Sequence, residues 1–266
     1  MKELKLDNKR TILVGLAFLS ICSFWQMYDN LVPLILRETF RLDEAYTGAI
    51  MAADNILALF LLPFFGGLSD RTSTRLGRRT PYILAGTAGA VVLMNILPVL
   101  DNSYAREAAP FKLVSFIIVL ALLLISMGTY RSPAVALMPD VTPKPLRSKG
   151  NAIINLMGAV GGVLYLGISV LLYPASKTRG LVHVDYQPLF IIVSAIMVLA
   201  VAVLLAAIRE PRLVAENQAL EKKHPEWNLA EDDGSGGEVL PGPVKKSLIF
   251  LLASIALWYA GYNGVT

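Results

Sequence analysis

Asp29, Asp54 and Arg131 each lie well inside a long apolar run. A charge surrounded by hydrocarbon costs several kcal/mol, so each of the three calls for a functional or structural reason. A carboxylate at such depth can load and release a cation, H+ or Na+. Histidine cannot do this here, because His183 and His224 both fall in polar segments. Asp54 is therefore the candidate for cation coupling, with Asp29 as a second. Gln26, Asp29 and Asn30 are spaced i, i+3, i+4 and share one helical face, with Trp25 and Tyr28 beside it. Amides, an acid and aromatic rings together suit a sugar, whose hydroxyls take hydrogen bonds and whose ring faces stack. Gln26, Asn30 and Arg131 are the candidate substrate contacts. The competing reading of these charges is a set of ion pairs between packed helices.

The elements that must hold these residues are membrane helices. The chain has 266 residues, 55% apolar and only 17% charged, with a mean hydropathy of +0.57. That is too little charge for a soluble fold of this size, and too much apolar surface for a disordered chain. The single cysteine, Cys22, excludes a disulfide framework and a thiolate metal site, and no cofactor is expected. Seven runs of about 20 residues can cross a bilayer: Thr11–Leu36, Tyr46–Leu68, Pro81–Leu100, Phe111–Met138, Ala152–Tyr173, Leu189–Ile208 and Leu248–Val265. The expected fold class is an all-α polytopic membrane protein. Its parts are a six-helix bundle (1–208), a cytoplasmic linker (209–246) and a seventh helix (247–266).

The first run follows four cations, but it is too long for a signal peptide's apolar region and has no small-residue cleavage site. With the N-terminus in the cytoplasm, 17 cations fall on inner segments and six on outer ones. This bias sets the orientation as N-terminus inside. It also explains the pI near 9.1 without a nucleic-acid surface. The lack of a targeting peptide points to a bacterial inner membrane. A rise of about 1.5 Å per residue puts Asp54 roughly 12 Å below the outer end of its helix and Arg131 roughly 10 Å above the inner end of its own. Gly158 and Gly162 form a small-xxx-small pair suited to close helix packing. The uncharged run Leu189–Ile208 reads as a scaffold or lipid-facing helix. Glycines at 234, 236 and 237 mark the linker as flexible.

The loop after the second run reads Gly66-Gly67-Leu68-Ser69-Asp70-Arg71, then Gly77-Arg78-Arg79-Thr80-Pro81-Tyr82. It resembles the signature cytoplasmic loop of the major facilitator superfamily. Its longer spacer is similar to that of the sugar-symporter branches, the sucrose/proton and glycoside–cation symporters. Tyr130–Asp140, followed by Arg147 and Asn151-Ala152, resembles the fourth-helix segment of the sucrose symporters through Pro133, Ala136, Leu137 and Asp140. The arginine of that pattern is Val135 here, and Arg131 stands one turn earlier. Asp54-Asn55 is similar to the second helix of bacterial relatives, which adds Asn55 to the candidate substrate contacts. The resemblance runs from the first helix through Asn263. It implies a twelve-helix transporter of two six-helix bundles, with substrate held between them near the midplane. On that basis the chain is the N-terminal portion, and a C-terminal bundle or a second chain is an expected partner. Gly66, Asp70, Arg71, Gly77, Arg78, Arg79, Asp140 and Arg147 form the expected cytoplasmic gate, in which ion pairs latch the inner side shut.

The leading function is cation-coupled symport of a sugar or glycoside, with H+ the first candidate for the coupling ion. The alternative is a half-transporter or a regulatory scaffold with no transport of its own. No enzyme activity is expected. An intramembrane protease needs a serine–histidine or paired-aspartate site, and no histidine lies within a run. A retinal protein would need a lysine midway along its last helix, whereas Lys245 and Lys246 precede it.

Overall fold

A computed structural model describes residues 6–227, 247–255 and 257–258. The elements are α1 (Asn8–Glu38), α2 (Glu44–Arg71), α3 (Thr80–Arg106), α4 (Pro110–Val141), a 3-10 turn (Lys144–Leu146), α5 (Arg147–Leu172), α6 (Ala175–Thr178), α7 (Gln187–Ala207) and α8 (Glu210–Lys223). Among the described residues, α1 to α5 and α7 supply six helices long and apolar enough to cross a membrane. Their starts are chemically marked. Asp7 caps α1 by accepting from the Arg10 amide at 3.1 Å. Helices α3, α4 and α7 each have proline in their first two positions, where its missing N–H is harmless. Residues 247–255 and 257–258 are helical. The rest of the expected seventh run lies outside the described residues.

The chain divides into compact units Met1–Leu220 and Glu221–Thr266. In the first, α1 packs on α5 and α7, α3 packs on α4 and α7, and α2 rests mainly on α4. Helix α7 is the scaffold: Leu189, Phe190, Val193, Met197 and Leu204 are buried. Helix α2 buries almost nothing inside the bundle, only Thr47 and Ser69. Its Ile56, Leu59, Phe60 and Phe64 are exposed.

Close packing of α1 on α5 depends on Gly161. A Cβ there would stand 2.1 Å from the Leu19 carbonyl oxygen, and Ser23 Oγ donates to the Gly161 carbonyl at 2.9 Å. Gly158 packs against Cys22, whereas a Cβ on Gly162 would meet only Gln26 Oε1, at 3.6 Å. The contact face is thus carried by Gly158 and Gly161 rather than by the expected i, i+4 pair. Gly161→Ala is expected to force the helices apart and to cost about 3 kcal/mol. Faster proteolysis of the detergent-solubilised variant, with Gly162→Ala unchanged, would show it.

The segment expected to be linker from residue 209 begins as an ordered helix. Helix α8 turns Glu210, Leu213 and Asn217 inward, and the first compact unit reaches Leu220. Its polar composition hid a packed face, because two of the three inward side chains are polar and serve as hydrogen-bonding partners for the bundle. In the second unit, His224 stacks on Trp227 with centroids 4.4 Å apart and bonds Glu226 at 2.7 Å. The C-terminal ends of α1 and α3 are tied by His183, which contacts Asn102 Oδ1 at 2.8 Å and Thr39 Oγ1 at 3.4 Å beside the fully buried Asp101.

Candidate functional site

Two polar constellations occupy the first unit. One is at the end of the bundle where α1 begins. The loop from α2 to α3 must reverse the chain, and Gly77 makes that possible with φ +114°, a region disfavoured for side-chain-bearing residues. A Cβ at Gly77 would also lie 2.3 Å from the Glu210 carboxylate. That carboxylate caps α3 from outside the helix. It accepts the amides of Arg78 (2.8 Å), Arg79 (2.9 Å) and Thr80 (2.8 Å) and the Thr80 hydroxyl (2.8 Å). Helix N-termini leave such amides unpartnered and attract negative charge, and α3 has no side-chain cap of its own. At the other pole, Asn217 Nδ2 donates to the Asp140 carbonyl at 3.2 Å, near the end of α4.

Asp140 gathers both arginines. Arg78 reaches it in a two-pronged contact at 2.6 and 3.2 Å, and Arg79 Nε at 2.9 Å. Arg79 also bonds Ser69 and pairs with Asp70. Helices α2, α3 and α4 are thereby joined through one nearly buried guanidinium. Arg71 is exposed and takes no part in these bonds, and Arg147 Nε donates to the Thr142 carbonyl at 3.3 Å. Of the expected gate residues, Gly66, Asp70, Gly77, Arg78, Arg79 and Asp140 come together here, Gly66 through its carbonyl, which accepts from Arg79 Nη1 at 3.4 Å. Glu210, Ser69 and Asn217 complete the constellation without having been singled out. An acid followed by proline, directly after the last apolar run of the bundle, was the available signal for Glu210. Asp140→Asn is expected to cost about 3 kcal/mol, since it weakens two guanidinium contacts at a carboxylate only 13% exposed. Asp70→Asn should cost about 1 kcal/mol or less, because Asp70 is 55% exposed. Thermal unfolding of the two purified variants checks that order.

The second constellation is a small cleft between α1, α2 and α4. Trp25, Asp54, Ala58, Gly128 and Arg131 are among its walls. Small residues bring α2 and α4 together: a Cβ on Gly128 would lie 3.2 Å from Leu61, and Ser132 Oγ donates to the Leu62 carbonyl at 2.8 Å. Arg131 stands with its guanidinium carbon 5.4 Å from the Trp25 ring centroid, a cation–π contact. It forms no ion pair within 4.0 Å of Asp54. Asp54 Oδ1, Trp25 Nε1 and the Tyr28 hydroxyl are all buried with no hydrogen-bond partner. Each such orphan costs about 1–3 kcal/mol, and two of the three belong to residues that line the cleft.

Asp29 is exposed but lies within electrostatic reach of Asp54 and Tyr28. Asn30 is exposed and its amide bonds the Gln26 carbonyl one turn back, at 2.6 Å. Asn55 is exposed on α2, and Gln26 faces α5. The face of α1 that lines the cleft is therefore the aromatic one, at Trp25, rather than the amide one.

The sequence pattern of the Major Facilitator Superfamily matches residues 14–266. Sucrose transport protein SUC3 of Arabidopsis thaliana is 30% identical over 146 residues, covering 50% of this chain and 24% of that protein. SUC4 of the same plant is 28% identical over 148 residues, covering 53% and 29%. SUT3 of Oryza sativa subsp. indica is 29% identical over 148 residues, covering 50% and 28%. These matches span less than a third of each relative's length. With the pattern matched through all six membrane-length helices, and with the loop arginines pinned between α2, α3 and α4, the chain belongs to the Major Facilitator Superfamily.

Proposed function

We propose that this multi-pass membrane protein takes part in secondary active transport of a sugar or glycoside, coupled to a cation, with H+ as the coupling ion. One observation carries the reading. Asp54 and Arg131 line one cleft without pairing, among orphaned polar atoms that a ligand's hydroxyls can satisfy. The names of the relatives, sucrose transport proteins, support the sugar class. Asp54 loads the cation, and the cleft binds the sugar. Coupling follows when the two ligands together favour an occluded state that neither favours alone. The exposed apolar side chains of α2 and α5, among them Phe60, Phe64, Leu156 and Val163, support a second bundle as the other wall of the site. It would come from further helices or from a second chain. The N-terminus lies in the cytoplasm, which puts the arginine constellation at the inner gate.

The test is uptake of radiolabelled sucrose, maltose and methyl glucoside into membrane vesicles carrying the expressed gene. Accumulation that a protonophore abolishes is the expected result. Binding of sugar without accumulation, indifferent to pH and to Na+, would instead favour a binding or scaffold role.

A further inference from the structure

We propose that Trp25 is the specificity-determining residue of the cleft, selecting cyclic sugars over open-chain polyols; this rests on the sugar-transport reading above. Three features of the indole converge. Its Nε1 is a buried donor with no partner, although it belongs to a residue that lines the cleft. Its ring is braced at right angles by Phe24 (centroids 5.4 Å, planes 79°) and Tyr28 (5.3 Å, 79°), so its orientation is fixed. Its ring also holds Arg131, whose guanidinium makes no hydrogen bond among the described residues and so keeps its donors for a ligand. A sugar ring offers what this arrangement lacks: hydroxyl oxygens for Nε1 and for the guanidinium, and a flat C–H face to pack on the electron-rich surface of a rigid indole. A flexible acyclic polyol offers the oxygens without the face.

Trp25→Phe keeps an aromatic face and removes the donor, while Trp25→Leu removes both. Binding of labelled sucrose, maltose, methyl glucoside and mannitol is measured on native membranes by flow dialysis. The Phe variant is expected to bind the ring sugars about tenfold more weakly, the effect of one lost hydrogen bond. In the Leu variant, the preference for the best ring sugar over mannitol falls about tenfold or more. A purely structural role would lower every ligand alike, so a preference unchanged in Trp25→Leu overturns the proposal. If the Leu variant fails to fold, parent-like affinity in Trp25→Phe overturns it instead. A parent protein that binds none of the three sugars removes the sugar reading itself, and this assignment with it.

Discussion

Glu210→Ala is expected to destabilise the bundle by about 3–4 kcal/mol, the largest loss from any single substitution in the arginine constellation. The carboxylate is 1% exposed and accepts three backbone amides and one hydroxyl. Its removal leaves those donors facing a cavity, and each unmet buried donor costs about 1–3 kcal/mol, partly recovered where water enters. Glu210→Gln keeps an acceptor oxygen but loses the negative charge at a helix N-terminus, so about 2 kcal/mol is expected. The check is thermal unfolding in detergent, with the order parent, Gln, Ala. A parent-like melt for Ala would show that the α3 terminus is not held by Glu210. Loosening should also be visible locally. Cys22 is the chain's single cysteine, so Leu76→Cys in a Cys22→Ser background reports the loop alone. Its maleimide labelling should rise severalfold when Glu210→Ala is added.

Asp54→Asn is expected to collapse sugar accumulation to about the external concentration while leaving sugar exchange intact. At a membrane potential of about 100 mV, one coupled charge is worth about 2.3 kcal/mol, which sustains roughly 50-fold accumulation. Asparagine retains an acceptor oxygen for a ligand hydroxyl but cannot take up a proton, so binding survives and coupling does not. Two assays on the same vesicles separate these outcomes: energised uptake and counterflow at zero potential. Full accumulation by the variant would move the coupling site elsewhere, with Asp29, within electrostatic reach of Asp54, as the next carboxylate to test. Loss of both accumulation and counterflow would instead make Asp54 a packing or substrate residue.

The amino-acid sequence by itself determined what depends on composition and local order. Spans of apolar residues are long enough to cross a bilayer whatever surrounds them, so the six membrane helices are legible from length and hydropathy. The spacing of Asp70, Gly77, Arg78 and Arg79 was legible as well, because a short loop confines its own charges to one end of the bundle. Cross-helix partners were decided only by tertiary structure. Glu210 sits 130 residues from Thr80 in the chain, and the proline after it marks a helix start without telling that the amides of Arg78, Arg79 and Thr80, where α3 begins, point at it. The cleft tells the same story. Helical periodicity grouped Gln26, Asp29 and Asn30 correctly on one face, but rotation of α1 is set by what packs behind it. Gly161 draws α5 onto Leu19 and Ser23, which holds Gln26 toward α5 while Trp25 meets Arg131 across the cleft. Periodicity gives relative positions around a helix, and only packing against neighbouring helices supplies the absolute angle.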